Sequence, residues 1–556
     1  MTAHKGETAT IIFFLIYCLG LCLPVAAQSG GQARKHLIYF RDKANSPFSV
    51  DNPQQYLSDR AISRRHKQQI NITARDLPVN PLYTAGLKSK GAEVLYASRW
   101  FNAAVVYCDS SVYTELVKLP FVKNGQTLSR RNTSTVTIRN GSASPKPAPA
   151  NNRRLKTDRQ TYGAAYNQAN MLGVLQMHEA GFRGEGMHVA VFDGGFSGVH
   201  RVPAFAHLFE ESRVKATFDF VDKNEDVFEK DTHGTNVLST LAAYQPGTYV
   251  GNAYKANYYL FITEDSRGEH NIEEVNWLLA AEFADSAGVD VINSSLGYTT
   301  FDAPSRSYSY NDLNGSLAIV TRAADYAAAT GMLVVNSAGN EGNKPWRYIS
   351  APADADSALS VGAVDSLGRR AAFSSVGPTA DGRIKPNLVA QGLLAAVVTP
   401  GGQVVRANGT SFSGPILCGL AVGFWQANPT LTNMQVIKYL ERTASQASIP
   451  DFLIGYGIPN FSQAHKLAQE EENKSVIFPN PVQNNQLQIR MSKEFINQRI
   501  NVTIYNTVAQ KVVKEIIATT PVSRNVVVDI SSLSPGIYNC VINGNDGPKI
   551  FKFLKI

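Results

Sequence analysis

Cysteine is scarce in this chain: there are five in 556 residues. Cys18 and Cys22 fall within an apolar stretch near the start, and Cys108, Cys418 and Cys540 lie far apart. No disulfide framework is available, so stability must come from packing or metal. Long apolar runs are equally rare. The one at residues 11–23 is short for a membrane span, and with Lys5 before it and Val25-Ala26-Ala27 after it, residues 1–27 read as a secretory signal. Leu21 stands before Cys22 where a lipidation signal wants a small residue. Internal repeats are absent, and no RNP, zinc-finger or helix-turn-helix pattern accompanies the net charge of +8. That charge is unevenly spread. Residues 28–156 hold 21 Lys+Arg against 7 Asp+Glu, residues 157–472 hold 21 against 33, and residues 473–556 hold 10 against 4. Nucleic acid is therefore excluded as the partner, and attraction between a basic N-terminal segment and an acidic body is the more economical reading.

What is present falls into units of different composition. Residues 28–139 read as a small α+β unit, with strands at 36–40 and 103–107 and helices at 53–69 and 80–91. Residues 140–156 are too rich in Ala, Pro and Ser to pack and read as an exposed linker. Proteolytic nicking concentrates in such segments. Arg153-Arg154 is the obvious basic target for a maturation cut, which fits anywhere from 139 to 156. In residues 157–472 helices (167–180, 272–287, 316–330) alternate with apolar strands (187–192, 258–263, 289–293, 333–336), which predicts a parallel, doubly wound α/β sheet. Residues 473–556 change class again. Strands at 486–491, 500–505, 526–530, 537–542 and 549–554, with turns rich in Asn, Pro and Gly, predict a small all-β sandwich.

Ligands of open α/β sheets gather beyond the carboxyl ends of the strands, and Asp193, Ser294 and Asn340 all fall there. The stretch Asn408-Gly409-Thr410-Ser411-Phe412-Ser413-Gly414-Pro415 reads as a nucleophile at a loop-to-helix junction. Gly409 permits a sharp turn, Pro415 is tolerated in a first helical turn, and the helix N-terminus at Ser411 favours negative charge on an attacked oxygen. A serine hydroxyl needs a base and a group that orients the base. His233, in Asp231-Thr-His-Gly-Thr-Asn236, has open backbone beside it and a helical run after it. Asp193 ends a buried strand and enters Gly194-Gly195, where a carboxylate must be hydrogen-bonded. Asn340, in Ser337-Ala-Gly-Asn-Glu-Gly342, could offer its amide N–H₂ to an oxyanion together with the Ser411 backbone N–H.

Val191-Phe-Asp193-Gly-Gly, His233-Gly-Thr, Asn293-Ser-Ser-Leu-Gly297, Ser337-Ala-Gly-Asn340-Glu-Gly and Gly409-Thr-Ser411-Phe-Ser-Gly-Pro follow one another in the order of the subtilisin family of serine peptidases, which this chain resembles over roughly residues 160–470. The resemblance implies Ser411 as nucleophile, His233 as general base and then acid, Asp193 as orienter and Asn340 as oxyanion donor. Ser294, Ser295, Leu296, Gly297, Ala338 and Gly339 are implied as substrate-binding. Two neighbours depart from the family pattern: Gly-Gly follows Asp193, and Phe-Ser-Gly follows Ser411. Residues 28–139 stand where that family carries a propeptide that assists folding and inhibits the enzyme. Pro479-Asn-Pro481, Leu533-Ser-Pro-Gly-Ile-Tyr538 and the closing residues 549–555 are similar to C-terminal sorting domains of the type IX secretion system of Bacteroidota.

The implied function is an exported serine endopeptidase, made as an autoprocessed zymogen and then secreted or attached to the cell surface. Its implied partners are protein or peptide substrates, its own propeptide as intramolecular inhibitor, and the type IX secretion machinery. No cofactor is needed for the chemistry. A structural calcium, common in the family, is left unplaced, because Asp222, Glu225, Asp226, Asp354 and Asp356 read equally well as solvated surface. With His233 as base, activity is expected to rise through about pH 6 to 7.5. An α/β-hydrolase is excluded, since Gly409-x-Ser411-x-Ser413 breaks its elbow motif and the acid and histidine precede the serine. The alternative from another class is a catalytically silent binding or adhesion protein on the same scaffold, against which the complete set of reacting residues argues.

Overall fold

The computed structural model describes residues 33–130, 157–495, 497–518, 524–545 and 547–556. The expected signal segment and the Ala/Pro linker lie outside the described residues. Among the described residues no helix is long and apolar enough to cross a membrane.

The first unit is an antiparallel sheet of β1 (Arg34–Phe40), β2 (Glu93–Ser98), β3 (Ala103–Cys108) and β4 (Val122–Arg130) in the order β2-β3-β1-β4. Helix α1 (Asp59–Lys67) is capped by the Ser58 hydroxyl, which accepts from the Ala61 N–H, and Asp59 lies in its first turn where the helix dipole favours a carboxylate. The helix expected over 53–69 is shorter than the pattern suggested. Residues Pro53–Gln55 form a separate single turn, and the α-helix starts only at the Ser58 cap.

The body is built on a seven-stranded sheet, all parallel. Its strands are β5 (His188–Asp193), β6 (Val214–Asp219), β7 (Asn257–Ile262), β8 (Val291–Ser294), β9 (Leu333–Ser337), β10 (Ala358–Val364) and β11 (Leu388–Gln391), in the order β11-β10-β9-β8-β5-β7-β6. Strands buried on both faces read as continuous apolar runs, and Val189 to Phe192 and Val334 to Val335 are fully buried. The sequence pattern missed β6, β10 and β11. Val214–Asp219 carries Lys215 and Thr217 among its apolar residues, and Ala358–Val364 is interrupted by Ser360 and Gly362. The helix expected over 167–180 is two, Tyr166–Met171 and Val174–Glu179, split where Gly173 takes φ 73° against Asn460.

Helices pack on both faces of this sheet. On one side lie α2 (His233–Ala242) and α5 (Thr410–Ala427); α5 crosses β8 to β11, and its residues Thr410 to Trp425 are all buried. On the other side lie α3 (Ile272–Ala287), ended by Gly288 in the left-handed conformation, and α4 (Ile319–Ala329). The N-terminal unit docks on this second side. Leu37, Trp100, Phe101, Val105 and Leu128 belong to the same apolar cluster as Trp277, Leu278, Ala281, Ala323 and Ala327, so the seam is a shared core.

The tail forms two antiparallel sheets packed face to face, one of strands Val476–Phe478, Gln486–Arg490 and Asn525–Asp529, the other of Lys511–Ala518, Arg499–Tyr505, Gly536–Gly544 and Gly547–Lys555. Lys511–Ala518 was not anticipated as a strand.

Candidate active site

Asp193 is the last residue of β5, and its side chain is 1% exposed. The Gly194 N–H donates to its Oδ1 at 2.8 Å. His233 is the first residue of α2, where the sequence pattern had placed only the helix that follows; its backbone N–H donates to the Asp231 carboxylate at 2.8 Å. The imidazole Nδ1 lies 2.9 and 3.0 Å from the two Asp193 oxygens. A carboxylate only accepts, so Nδ1 carries the proton and Nε2 is left as the basic nitrogen. Close backbone approach makes this possible. A Cβ on Gly234 would meet the Gly195 carbonyl oxygen at 2.3 Å and the Asp193 Cβ at 2.9 Å, so only glycine lets the start of α2 rest on the end of β5. Burial by itself would lower the His233 pKa. The Asp193 charge and hydrogen bond outweigh it, helped by Asp231 and Glu264, and bring it up to about 9. The ring edge stays open to solvent, with the side chain 37% exposed.

Ser411 is the second residue of α5. Gly409 before the helix has φ 154° and ψ 149°, a region in which essentially only glycine is found. The Asn340 side-chain oxygen accepts from the Thr410 backbone N–H at 2.9 Å and from the Thr410 hydroxyl at 3.0 Å. With its oxygen thus engaged, the Asn340 N–H₂ is the donor end of the side chain. The Ser411 N–H, in the first helical turn, has no intrahelical acceptor. Pro415 sits in the second turn of α5, not the first as the sequence suggested, because the helix already starts at Thr410. Lacking an N–H, Pro415 cannot donate to the Ser411 carbonyl. The Ser295 hydroxyl takes its place at 3.0 Å, and the Ser337 hydroxyl donates to the neighbouring Thr410 carbonyl at 2.9 Å. The Ser411 hydroxyl rests 3.5 Å from the Ser295 carbonyl, and the Phe412 ring lies 6.0 Å from that of His233.

The other expected site residues divide. Ser295, half-buried Leu296 and exposed Gly297 leave the end of β8 beside Ser411, and Gly339 faces them from the loop after β9. Ser294 is turned the other way. Strand alternation points its side chain at α3, where its hydroxyl accepts from the Trp277 indole at 3.0 Å, so it does not face the cleft. The Ala338 methyl is also buried, packed with Ile349 and Ala353.

Glu264 follows β7 close enough to raise the His233 pKa by its charge. Its carboxylate, with those of Glu269 and Glu273, forms the one grouping of three or more potential metal ligands within 4.8 Å among the described residues. Burial raises the pKa of all three; Glu264 and Glu269 add to it at Glu273, Glu269 adds to it at Glu264, and Asp302 and Glu274 add to it at Glu269. Their oxygens are the donors a hard divalent cation takes. The acidic residues named from the sequence are placed otherwise. Asp222 pairs with Lys230 and Arg267, and Asp354 is buried, accepting from the Thr321 hydroxyl and the Gly315 N–H.

Sequence reasoning missed the side of the body away from Ser411. There Asp285 of α3, fully buried, accepts from Arg64 and Arg65 of α1 and from Arg99, while Arg60 pairs with Asp290. Glu282 accepts from the Arg99 and Trp100 backbone N–H groups and from the Ser98 hydroxyl. The uneven charge of the two segments was a signal for this contact, but it named no partners.

Comparison with known proteins matches residues 184–457 to the subtilase family of peptidases, residues 35–143 to the peptidase S8 propeptide domain of Bacteroidota, and residues 476–556 to a secretion system C-terminal sorting domain. Subtilisin NAT of Bacillus subtilis subsp. natto is 32% identical over 308 residues, which cover 54% of this chain and 72% of that protein. Subtilisin of Bacillus pumilus is 32% identical over 292 residues, covering 52% and 94%. The crystal structure of MycP1 with the N-terminal propeptide removed aligns with 54% of this chain and 96% of its own at 23% identity, with a TM-score of 0.43.

Proposed function

The chain belongs to the subtilase family of serine peptidases, and from that premise we propose that it is an endopeptidase that cleaves proteins through Ser411, His233 and Asp193, with Asn340 as oxyanion donor. The carrying observation is the Asp193–His233 pair at 2.9 Å, with Asp193 buried, His233 part-exposed and the His233 ring 6.0 Å from that of Phe412 in the first turn of α5. His233 Nε2 takes the Ser411 proton as the hydroxyl oxygen attacks the peptide carbonyl. Asp193 stabilises the imidazolium that forms and does not itself take the proton. Negative charge on the carbonyl oxygen is met by the Asn340 amide and the Ser411 N–H. His233 then hands its proton to the departing amine, leaving an acyl group on Ser411. Water, deprotonated by the same nitrogen, releases it.

The chain carries an S8 propeptide domain, and its C-terminal sorting domain marks it for export and for secretion or surface attachment. We infer further that the enzyme is made as a zymogen and cuts itself between the N-terminal unit and the body. The shared apolar seam and the arginines around Asp285 support a propeptide that stays docked until that cut. Type IX secretion machinery is the proposed partner of the tail.

Replacing Ser411 by alanine tests both readings. The Ser411→Ala chain should remain uncut between residues 139 and 156 and leave a general protein substrate intact. Normal processing in the purified variant would remove self-cleavage from the account, and retained hydrolysis would remove Ser411.

A further inference from the structure

At the edge of the seam between the N-terminal unit and the body, Arg60 of α1 reaches three groups of the body. Its guanidinium pairs with the Asp290 carboxylate and donates to the Gly186 carbonyl at 3.0 Å and the Gly288 carbonyl at 2.8 Å. Asp290 is also clasped to His188, the first residue of β5. The His188 N–H donates to the carboxylate oxygen that Arg60 uses, at 2.9 Å, and the Asp290 N–H donates to the His188 carbonyl at 2.9 Å. The half-buried His188 imidazole has its Nδ1 3.0 Å from the Tyr259 hydroxyl. The charged and titratable groups about this ring are therefore Arg60 from α1, Lys215 from β6, Tyr259 from β7 and Asp290 from the segment between α3 and β8. Two are cations, the one carboxylate is already held by Arg60, and burial keeps the Tyr259 phenol neutral.

A proton on this imidazole would place a third positive charge at a site with a single carboxylate. Burial, Arg60 and Lys215 together hold the His188 pKa at about 4. Departure of the N-terminal unit reverses the balance. Arg60 leaves with α1, Asp290 loses its counter-charge beside His188, and the imidazole returns toward its ordinary value of 6.5. We propose that His188 is a pH-sensitive latch: acid charges the imidazole, which repels Arg60 and draws on Asp290, and the cut N-terminal unit is thereby released from the body. This rests on the reading of that unit as a propeptide that stays docked after the cut. A group whose pKa rises on release takes up a proton on release, so acid favours the free form; the effect begins below pH 6.5 and is complete below about 4. At pH 5 it amounts to about thirtyfold in Kd relative to pH 8. Asp285 adds little there, being held ionised down to about pH 2. Glu282, whose pKa burial in the seam raises, acts in the opposite sense, so the share of the histidine is read from the difference between wild type and a variant without it.

The experiment uses the full Ser411→Ala chain, opened between residues 139 and 156 by added trypsin with both parts kept. The Kd between the parts is measured by sedimentation of a dilution series at pH 8, 6.5 and 5. With His188 present, Kd should be about thirtyfold weaker at pH 5 than at pH 8; with His188→Asn, which keeps an amide in place of Nδ1 but does not titrate, the change should be about threefold or less. Arg60→Gln should weaken binding at pH 8 and flatten its pH dependence. A second measurement needs no binding by a variant: in the uncut chain the His188 ring resonance should titrate near pH 4, and near 6.5 once the unit has been removed. Equal pH dependence with and without His188, or a ring that titrates at the same pH in both forms, would overturn the latch and leave the propeptide reading standing. A unit that stays bound at every pH would remove release itself, and the propeptide reading with it.

Discussion

Asp285→Asn separates the precursor from the mature enzyme. In the precursor the Asp285 carboxylate is wholly buried and accepts from three guanidinium groups, two from α1 and one from Arg99. Burial alone would raise its pKa; Arg99, Arg65 and Arg64 outweigh burial and hold it at about 2, against an ordinary value of 3.8. The arginines respond differently. Burial pulls Arg64 down and wins, whereas Arg65 ends raised because Asp76 supports it as well as Asp285. A downward shift of roughly two units corresponds to about 2 kcal/mol of stability in favour of the charged form. It is present above pH 3.8 and is lost as pH falls through about 2. Substitution does more than neutralise the carboxylate, because it leaves the arginines buried without a counter-charge. Breaking a buried pair in that way costs about 3–5 kcal/mol. The assay is urea unfolding of the uncut chain in a Ser411→Ala background, with and without Asp285→Asn, and of the mature enzyme with the same substitution. The precursor should lose about 3–5 kcal/mol, and the mature enzyme, whose Asp285 no longer faces the arginines, should lose less than about 0.5 kcal/mol. Equal losses in the two forms, or a precursor loss below about 1 kcal/mol, would refute the seam as an electrostatic contact.

Other consequences follow from the site. Asn340→Ala should lower kcat by about a hundred- to a thousandfold, the magnitude known for the oxyanion asparagine of subtilisin itself, with little change in KM; an effect on KM alone would exclude the oxyanion role. Because the base must be neutral and the His233 pKa is raised to about 9, kcat/KM should climb with pH and reach half its plateau above pH 7.5, higher than the sequence suggested. In Asp193→Asn that midpoint should drop, since burial is then opposed only by the Asp231 and Glu264 charges; a midpoint indifferent to Asp193 would contradict the coupling. The same raised pKa means that the stability contributed by the charged pair is full below pH 6.5 and is lost as pH rises through about 9. Gly234→Ala must push α2 off the Gly195 carbonyl, and displacement of His233 by about 1 Å should cost about a hundredfold in kcat while a circular dichroism spectrum shows the fold retained.

Asp193, His233, Asn340 and Ser411 stand out in the sequence because each sits in a short motif whose glycines answer a local demand, as Gly409 does at φ 154° and Gly234 at the Gly195 carbonyl. The parallel sheet was legible where strands are unbroken apolar runs, and lost where Ser360 and Gly362 interrupt one that is nonetheless buried throughout. Contacts between distant segments left no local mark. Pro415 gave no hint that Ser295 would donate to the Ser411 carbonyl in its stead. Ser294 was misread for a related reason. Its place at a strand end was correct, but the side to which it points depends on strand alternation, which the motif does not state. Charge counting found the attraction between the two segments, and only the fold shows that three arginines share one aspartate.

The central claim is that Ser411 is the nucleophile and that His233, oriented by Asp193, activates it. Treating the mature enzyme with a fluorophosphonate and locating the adduct by mass spectrometry tests it most directly. One adduct is expected, on Ser411, forming in proportion to the loss of peptidase activity and at least about a hundredfold more slowly in His233→Ala. Full activity with Ser411 modified, an adduct on another serine that tracks inactivation, or equally fast labelling without His233 would contradict it.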